Sequence, residues 1–303
     1  MGTLYLVSTP IGNLEDITLR ALRVLRAASL IAAEDTRQAQ RLLARYEIAV
    51  PCLSYHEHNK LARVDEVLTA LANGDVALVA NSGTPAMSAP GFELVGACIA
   101  AGFAVVPIPG PSAPVAALVA SGMPTDQFIY VGFLPRRGAE RRVLLKSLAD
   151  MPQTLLCFEA PHRVVDALTD ILAILGDRRV AVARDLTKPA EEFRRERVGQ
   201  SLAYYAAHRP RGELTLVVEG RRWPAARRAA VPGTAAGSDA VKDDDDLPSE
   251  ADVAARLRQL RDQGKSGSAA ARIVARELGL SKSLVYQIWI GLDQAPSTEQ
   301  KET

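Results

Sequence analysis

The sequence predicts an α/β protein built from two α/β halves with a cleft between them, followed by a small helical module. Over the first 222 of its 303 residues, short runs rich in β-branched side chains alternate with amphipathic helices. That alternation is typical of βα units around a mostly parallel, buried sheet. A break in the pattern near residues 122–127 separates residues 1–122 from residues 123–222. The composition changes again after residue 222, so the chain is predicted to contain three structured parts.

Eight short apolar runs in the first 222 residues are predicted to be strands. Between them, residues 60–72 and 161–175 carry apolar side chains at helical spacing, and Gly74 and Gly176 follow as helix stops. Ligands in such folds usually bind off the carboxyl ends of the strands. The predicted strands are Leu4–Ser8, Leu30–Ala33, Val76–Ala80, Ala104–Ile108, Phe128–Gly132, Thr154–Phe158, Val180–Ala183 and Leu214–Val218.

The C-terminal part is predicted to be a tethered helical module. Residues 223–250 are rich in Ala, Pro, Gly and Asp and lack apolar periodicity, which predicts a flexible linker. Residues 251–292 return to helical spacing, with a turn at Gly279, and form a helix-turn-helix-like pattern before a tail of residues 293–303. Seven basic and three acidic residues give 251–292 a net charge of +4, which favours an anionic partner. On its first helix, one face is formed by Val253, Leu257 and Leu260.

The overall composition argues against several classes of protein. With 36 Lys and Arg against 35 Asp and Glu, the net charge is +1, so any contact with nucleic acid must be local. The uncharged stretch from Leu94 to Thr125 is interrupted by prolines, which argues against a membrane-spanning helix. Cys52, Cys98 and Cys157 lie far apart without a CxxC pair, as expected in a reducing compartment. Because the N-terminus also lacks a signal-peptide pattern, the protein is predicted to be cytoplasmic.

Polar and glycine-rich loops follow the predicted strands of the first half. AAEDTR places residues 34–37 at a strand end that would face a cleft. The plainer interpretation is that Asp35 or Thr36 caps the following helix. ANSGTPAMSAPG, residues 80–91, has more glycines, prolines and hydroxyl side chains than a plain connection needs, which is typical of a ligand-binding loop. In PIPGPSA, Ser112 opens a helix whose free N–H groups suit a carboxylate or a ribose hydroxyl.

Charged residues also follow the strands of the second half. CFEAPHR contains Glu159, and ARDLTKPAEEF contains Arg184 and Lys188. Together with the first-half loops they favour a polar cleft, although salt-bridged surface loops would show the same pattern. The chain has no GxGxxG, GxSxG or Walker A motif, which argues against dinucleotide-binding, hydrolase and NTPase functions. His56 and His58 supply only part of a metal-ligand set, so no metal site is predicted.

Eight segments, taken in order, resemble the tetrapyrrole-methylase-like, class III S-adenosylmethionine methyltransferases. They are STPIGNLEDIT, AAEDTR, NSGTPAMSAPG, PIPGPSA, GFLPRRG, FEAPHR, ARDLTK and GELTLVVEG, and they span about residues 3–222. Within that family, TPIGNL, GFLPR and LTK are most similar to the 16S rRNA cytidine 2′-O-methyltransferases. The resemblance implies two α/β/α domains with a cofactor cleft between them, S-adenosylmethionine as cofactor and a homodimer. It further implies that the substrate is a cytidine ribose in the decoding region of 16S rRNA, within the small ribosomal subunit.

The family's motifs, matched residue by residue, imply a set of cofactor contacts made largely through loop backbone. One departure concerns Asn81 and Ser82, which stand where the family usually has Asp-Ala before Gly-Thr-Pro. An amide still accepts a hydrogen bond from a hydroxyl, but it lacks the strength of a charge-assisted bond. The implied contacts are Pro10, Ile11, Asn81, Ser82, Gly83, Thr84, Ser112, Ala113, Phe158, Arg184 and Leu214.

Methyl transfer to a ribose oxygen places few demands on the side chains. In-line alignment of the acceptor oxygen with the sulfonium methyl supplies much of the acceleration. A base helps to remove the proton of the weakly acidic 2′-hydroxyl, and Asp35, Glu159 and Lys188 are equal candidates. Basic side chains, and the tethered C-terminal helices, suit the phosphates of RNA. The candidates for RNA contact, which a solvated helix face would also explain, are Arg37, Arg136, Arg137, Arg141 and Arg142.

Two other functions fit parts of the sequence. A methylase of the same fold that acts on a small, tetrapyrrole-like acceptor would need neither the helical module nor salt-dependent affinity for RNA. A helix-turn-helix nucleic-acid-binding regulator, with the α/β part as a ligand sensor, would need a recognition helix that reads bases. The segment SKSLVYQIWIGL offers only Lys282 and Gln287 for that purpose, so a packing or RNA-positioning role is predicted for the module.

Overall fold

A computed structural model of the chain describes residues 2–221, 250–278 and 282–293. By its internal contacts the chain divides into two compact units, residues 1–232 and residues 233–303. The larger unit contains both predicted α/β halves, and the smaller one contains the predicted helical module. Most of the predicted linker and tail, and the predicted turn at Gly279, lie outside the described residues.

The first half forms a sheet of β1 (Thr3–Val7), β2 (Leu30–Ala33), β3 (Cys52–Ser54), β4 (Val76–Val79) and β5 (Ala104–Ile108). The strand order is β3-β2-β4-β1-β5, and every pair is parallel. β4 is buried along its whole length, as expected for a strand covered on both faces. Its alternate residues belong to two different apolar clusters, one on each face of the sheet. Because the strands are parallel, all five carboxyl ends lie along one edge.

The second half forms a separate sheet of β6 (Phe128–Phe133), β7 (Thr154–Glu159), β8 (Arg179–Arg184), β9 (Glu192–Arg197) and β10 (Leu214–Val218). Its strand order is β6-β7-β10-β8-β9, and only β6 and β7 are parallel. β10 runs antiparallel to both of its neighbours, and β8 runs antiparallel to β9. The prediction of mostly parallel strands is therefore correct for the first half and wrong for the second. A fully buried strand such as β10 is apolar in either orientation, so its composition does not reveal its direction.

Helices flank both sheets, and two of them begin later than predicted. The helix expected from residue 60 begins at Val64, because residues 57–63 form turns, and Leu61 is consequently 72% exposed. The segment expected from residue 161 starts with a single 3-10 turn before its α-helix. The α-helices of the larger unit are α1 (Leu19–Ala27), α2 (Thr36–Arg45), α3 (Val64–Asn73), α4 (Phe92–Ala100), α5 (Ala113–Ser121), α6 (Gly138–Leu148), α7 (Val164–Leu175) and α8 (Val198–Ala207).

The two halves pack on each other through α5. This helix lies against β7, β8 and β10 of the second sheet. Ala117 and Leu118 of α5 belong to one buried cluster with Leu156, Ala181 and Val217. The contact is apolar and closely packed, so the carboxyl edge of the first sheet is held at a fixed position against the second half.

The smaller unit consists of α9 (Glu250–Asp262), α10 (Gly267–Leu278) and α11 (Lys282–Asp293). The predicted face of α9 is confirmed: Val253, Leu257 and Leu260 are at most 4% exposed. They form a core with Val274 and Val285 from the other two helices. Among the described residues of both units, no helix is long and apolar enough to cross a bilayer.

Candidate active site

The loops that follow β1 and β4 are joined at the carboxyl edge of the first sheet. Thr9 and Gly83 exchange two backbone hydrogen bonds of 2.9 and 3.0 Å. The hydroxyls of Ser8 and Thr84 lie 3.0 Å apart, and the Thr9 hydroxyl donates to the carbonyl of Ala80 at 3.2 Å. Gly83 has a φ of 74°, a conformation that glycine adopts without a steric penalty. The two loops therefore form a single, well-fixed rim.

The loop of residues 81–91 continues from this rim with a strained backbone. Ala86 and Ser88 have φ values of 64° and 58°, in a region that costs a non-glycine residue about 1–2 kcal/mol. The Ser88 hydroxyl lies 2.7 Å from the hydroxyl of Tyr130 on β6, which connects the loop to the second half. Strain of this kind persists where surrounding contacts hold it, and it is common in ligand-binding segments. The conformation therefore supports the interpretation of this loop as a ligand-binding one.

A cavity of about 340 Å³, the central cleft, opens between the two halves. Its walls come from the loops after β1, β2, β4, β5 and β8 and from β6, β7 and β10. Residues from distant parts of the chain therefore meet in one place. Nine of the eleven cofactor contacts implied by the family resemblance line this cleft, namely Ile11, Asn81, Ser82, Gly83, Thr84, Ser112, Ala113, Phe158 and Leu214.

The other two implied cofactor contacts lie elsewhere. Pro10 lines a second cavity of about 540 Å³, the side cavity, which shares Ile11, Asn81, Ser82 and Glu213 with the central cleft. Arg184 lines neither cavity, because its guanidinium donates to the carboxylate of Glu192 at 3.0 Å. A contact between the Arg184 guanidinium and a ligand would compete with this ion pair.

The lining of the central cleft fits a nucleoside cofactor. Phe158 forms an aromatic wall with Tyr130 and Phe133, whose ring centroids lie 5.6 and 5.3 Å from its own. Asn81 Oδ1 is buried and has no hydrogen-bond donor among the described residues. The Ser112 hydroxyl makes no capping bond to α5. An apolar wall flanked by an unpaired acceptor and a free hydroxyl suits a planar base joined to a sugar.

Asp35, the first candidate base, is engaged at the start of α2. Its carboxylate accepts hydrogen bonds from the backbone N–H and the side chain of Arg37 at 2.9–3.1 Å. The side-chain hydrogen bonds from Arg37 lower the pKa of Asp35 to about 2. Asp35 lines neither cavity, and it caps α2 as the plainer interpretation of the sequence expects. Such a carboxylate is a weak base.

Glu159, the second candidate, ends β7 with a side chain that has no exposed surface. Its Oε1 accepts from the Ala160 N–H at 2.8 Å and lies 3.2 Å from Nε of Arg163. Burial raises the pKa of Glu159 in spite of the nearby guanidinium. Arg163 also donates to the carbonyls of Leu134 and Pro135 at 2.6 and 3.0 Å. The Glu159–Arg163 pair therefore fixes the loop that carries the GFLPRRG motif.

Lys188, the third candidate, lines the side cavity within a network of charges. Its Nζ lies 3.0 Å from Oε2 of Glu213 and 3.2 Å from Oδ1 of Asp185. Burial acts to lower the pKa of Lys188, but the hydrogen bonds and charges of Glu213 and Asp185 outweigh burial and raise it. The neutral amine that a lysine base requires is therefore scarce at neutral pH.

The structure brings three further residues into the central cleft: Tyr130 and Phe133, which the sequence does not single out, and Glu34, which the AAEDTR segment places at a strand end facing a cleft. Tyr130 and Phe133 belong to its aromatic wall, and Glu34 contributes a carboxylate. Oε2 of Glu34 accepts a hydrogen bond from the backbone N–H of Asn81 at 3.1 Å. The signal for Glu34 is its position directly after a buried strand. Its neighbour Asp35 has the same signal, and only the structure separates them.

The five arginines predicted to contact RNA differ in exposure. Arg141 is 6% exposed, and its guanidinium lies 2.6 Å from the carboxylate of Asp170, which joins α6 to α7. Because its donors face the interior, Arg141 is not part of the surface that RNA can reach. The other four are exposed, namely Arg37, Arg136, Arg137 and Arg142.

Comparison with known proteins identifies the family. A model of the tetrapyrrole (corrin/porphyrin) methylases matches residues 3–201. A Synechocystis protein named ribosomal RNA small subunit methyltransferase I is 42% identical over 295 residues, which cover 97% of this chain and 99% of that protein. A Thermotoga maritima protein of the same name is 47% identical over 222 residues, which cover 73% of this chain and 100% of that protein.

A solved structure shows the same fold at lower identity. The uroporphyrin-III C-methyltransferase from Thermus thermophilus, complexed with S-adenyl homocysteine, is 22% identical and superposes with a TM-score of 0.51. The match covers 71% of this chain and 97% of that one. Since the fold, the family model and the relatives agree, the chain belongs to the tetrapyrrole methylases and, among them, to the methyltransferases named ribosomal RNA small subunit methyltransferase I.

Proposed function

We propose that this methyltransferase methylates the ribose 2′-oxygen of a cytidine in the decoding region of 16S rRNA, within the small ribosomal subunit. The observation that supports the proposal most strongly is the convergence of nine family-implied residues on one cleft between the halves. The relatives support rRNA as the class of acceptor through their names.

S-adenosylmethionine is the methyl donor, and when bound it supplies an electrophilic methyl group on a sulfonium. The central cleft suits it in three respects. The wall formed by Tyr130, Phe133 and Phe158 suits an adenine ring. The buried Oδ1 of Asn81 suits a hydroxyl or ammonium donor, which would satisfy an otherwise unpaired acceptor. The rim that contains Gly83 allows close approach of the backbone to a ligand.

Recognition of the RNA would rest on basic side chains near the cleft and on the helical module. The Glu159–Arg163 pair fixes the loop that carries Arg136 and Arg137, so two exposed cations are presented from a defined backbone. Arg37 and Arg142 add charge. Arg37, Arg137 and Arg142 each also lie near a carboxylate. Contacts between such side chains and phosphates would hold the acceptor ribose at the cleft without reading its sequence.

The proposal is tested by methyl transfer from labelled S-adenosylmethionine to three acceptors. They are small ribosomal subunits from a strain that lacks the modification, the naked 16S rRNA, and a tetrapyrrole. We expect label in the RNA of the subunits. Label in the tetrapyrrole alone would support a small-molecule methylase instead. Binding of S-adenosylmethionine without transfer to any of the three would leave a ligand-sensing regulator as the better account.

We also propose a homodimer as the functional form. α4 and α5 expose Phe92, Ile99 and Val119 at 78, 62 and 69%, in or next to the uncharged stretch that begins at Leu94. Exposed apolar surface of this kind is typical of protein interfaces. Light scattering during size-exclusion chromatography should give twice the chain mass of 32.5 kDa. The Ile99→Glu variant should have the mass of one chain. A wild-type protein that elutes as a monomer would contradict the proposal.

A further inference from the structure

Glu34 is the carboxylate of the central cleft that is free to act on a ligand. It follows β2 directly, is half-buried, and contributes to the cleft wall. One of its oxygens, Oε2, accepts from the Asn81 N–H at 3.1 Å. Among the described residues, no Lys or Arg lies within ion-pair distance of Glu34. The carboxylate is therefore oriented by one hydrogen bond, and Oε1 remains available.

The other carboxylates near the cleft are already paired. Glu159 is buried and forms an ion pair with Arg163, and Glu213 binds Lys188 at 3.0 Å. Asp35, the next residue in the chain, is bound by Arg37 and lies outside the cleft. A paired carboxylate must give up its cation before it can take a proton, whereas Glu34 has no such cost.

Glu34 and Asn81 together form a local excess of hydrogen-bond acceptors. The Asn81 backbone holds Glu34, and Asn81 Oδ1 is buried with no donor among the described residues. Two adjacent acceptors in a partly dehydrated site favour a ligand that brings hydrogen-bond donors. A ribose hydroxyl is such a donor, and it is the group that must lose a proton when its oxygen is methylated.

We propose that Glu34 is a catalytic residue that accepts the proton of the hydroxyl undergoing methylation. The inference rests on the proposed function, because it assumes an oxygen acceptor. As the new O–CH₃ bond forms, the S–CH₃ bond breaks and its electron pair stays on the sulfur. The hydroxyl proton moves to Oε1 of Glu34, which becomes a neutral carboxylic acid and later returns the proton to water. Atoms and charge balance without a metal or a further reactant.

The placement of Glu34 is tested with a ligand that needs no RNA. Sinefungin is an S-adenosylmethionine analogue with an amine at the position of the transferable methyl, whereas S-adenosylhomocysteine has nothing there. A carboxylate beside that position favours the amine through a charge-assisted hydrogen bond. Calorimetry on the full-length protein should show that Glu34→Gln reduces the affinity ratio of sinefungin to S-adenosylhomocysteine by about tenfold. The Kd of S-adenosylhomocysteine itself should stay unchanged.

The matched control is Asp65→Asn, which removes a carboxylate charge from the exposed surface of α3, away from both cavities. It should keep the wild-type affinity ratio. Glutamine at position 34 can still accept from the Asn81 N–H, so the loop should be preserved, and the melting temperature checks this. Glu34→Asp serves as a second variant, because it keeps the charge on a shorter side chain and should recover part of the ratio.

The pH dependence of the reaction rate provides a second test, after the calorimetry. Glu34→Gln should lower kcat on small subunits about 10²–10⁴-fold and flatten the acid side of its pH profile, because glutamine cannot take the proton of the hydroxyl. The other titratable groups that line the cleft, Tyr130, Glu159 and Glu213, remain in both proteins.

The two experiments distinguish a failure of the inference about Glu34 from a failure of the proposed function. If wild-type protein transfers no methyl to RNA but Glu34→Gln loses the preference for sinefungin, the rRNA assignment fails and the placement of Glu34 stands. If Glu34→Gln keeps the wild-type ratio, the inference is overturned even when the RNA is methylated. Equal losses in Glu34→Gln and Asp65→Asn would also overturn it, since a general charge effect would then be responsible.

Discussion

Asn81 shows how one side chain sets the charge of the cleft. It stands where the family usually has Asp, and its backbone N–H holds the carboxylate of Glu34 at 3.1 Å. With an amide at position 81, this corner of the cleft carries one negative charge instead of two. Two adjacent carboxylates would repel each other and share a proton more readily. The substitution therefore leaves Glu34 without a second carboxylate beside it.

Restoring the carboxylate with Asn81→Asp should move the acid limb of the rate profile. Two neighbouring carboxylates repel each other and share a proton more readily than one carboxylate alone, so activity should begin to fall at a higher pH than in the wild type. The shift is measured as kcat against pH on small subunits, with Asp65→Asn as the surface control. A profile that stays in place, or moves towards lower pH, would mean that positions 34 and 81 do not interact.

Some residues of this site could be predicted from the sequence, and others could not. Nine of the eleven implied cofactor contacts line the central cleft, because the family resemblance assigns them motif by motif. The candidate bases Asp35 and Lys188 could not be judged in the same way. Their availability depends on their partners: the capping role of Asp35 is visible in the local sequence, whereas Glu213, which binds Lys188, lies 25 residues away from it.

At the scale of elements, the eight predicted strands are present within one residue of their predicted ends, whereas β3 and β9 were missed. β3 has only three residues, too few for a periodic pattern to show. β9 reads EFRRER, and its charges are accommodated locally: Arg194 binds Glu196 at 2.9 Å and stacks 3.5 Å above the ring of Tyr204. Such a strand lies at the edge of the sheet, where charged side chains reach solvent and oppose further pairing.

The ion pair that joins β7 to the GFLPRRG loop allows a stability prediction. Glu159→Gln keeps the volume but leaves the largely buried guanidinium of Arg163 without its counter-charge. Removing one partner of a buried pair typically costs about 3–5 kcal/mol of unfolding free energy. Urea denaturation should show a loss of this size, while Arg179→Ala, which breaks the more exposed pair with Glu219, should cost about 1 kcal/mol or less. Similar losses in both variants would show that burial does not set the strength of the Glu159 pair.

At the scale of the whole molecule, the cleft exists only because two differently built halves meet. The first sheet is parallel and offers its loops at one edge, and the mixed second sheet offers Phe158 and Leu214 from antiparallel neighbours. The sequence shows two halves and a break between them, but the apolar contact through α5 that fixes their relation requires the structure. The smaller, helical unit is a separate compact part of the chain.

The helical unit should contribute to substrate affinity rather than to cofactor binding. The Thermotoga relative is matched over its full length by 73% of this chain, so about a quarter of the chain has no counterpart there. Removal of residues 223–303 should leave the Kd of S-adenosylhomocysteine unchanged. It should weaken binding to small subunits about tenfold or more at low salt and reduce the salt dependence, because residues 251–292 carry a net charge of +4. Unchanged subunit affinity, or loss of cofactor binding, would contradict this division of roles.

Methylation of a cytidine ribose in the decoding region is tested by nucleoside mass spectrometry of 16S rRNA after reaction with the purified protein. Small subunits that lack the modification are incubated with S-adenosylmethionine, and omission of the cofactor serves as the control. We expect new 2′-O-methylcytidine, located in fragments from the decoding region. A methyl group on a base, or RNA that gains none while the protein binds S-adenosylmethionine, would contradict it.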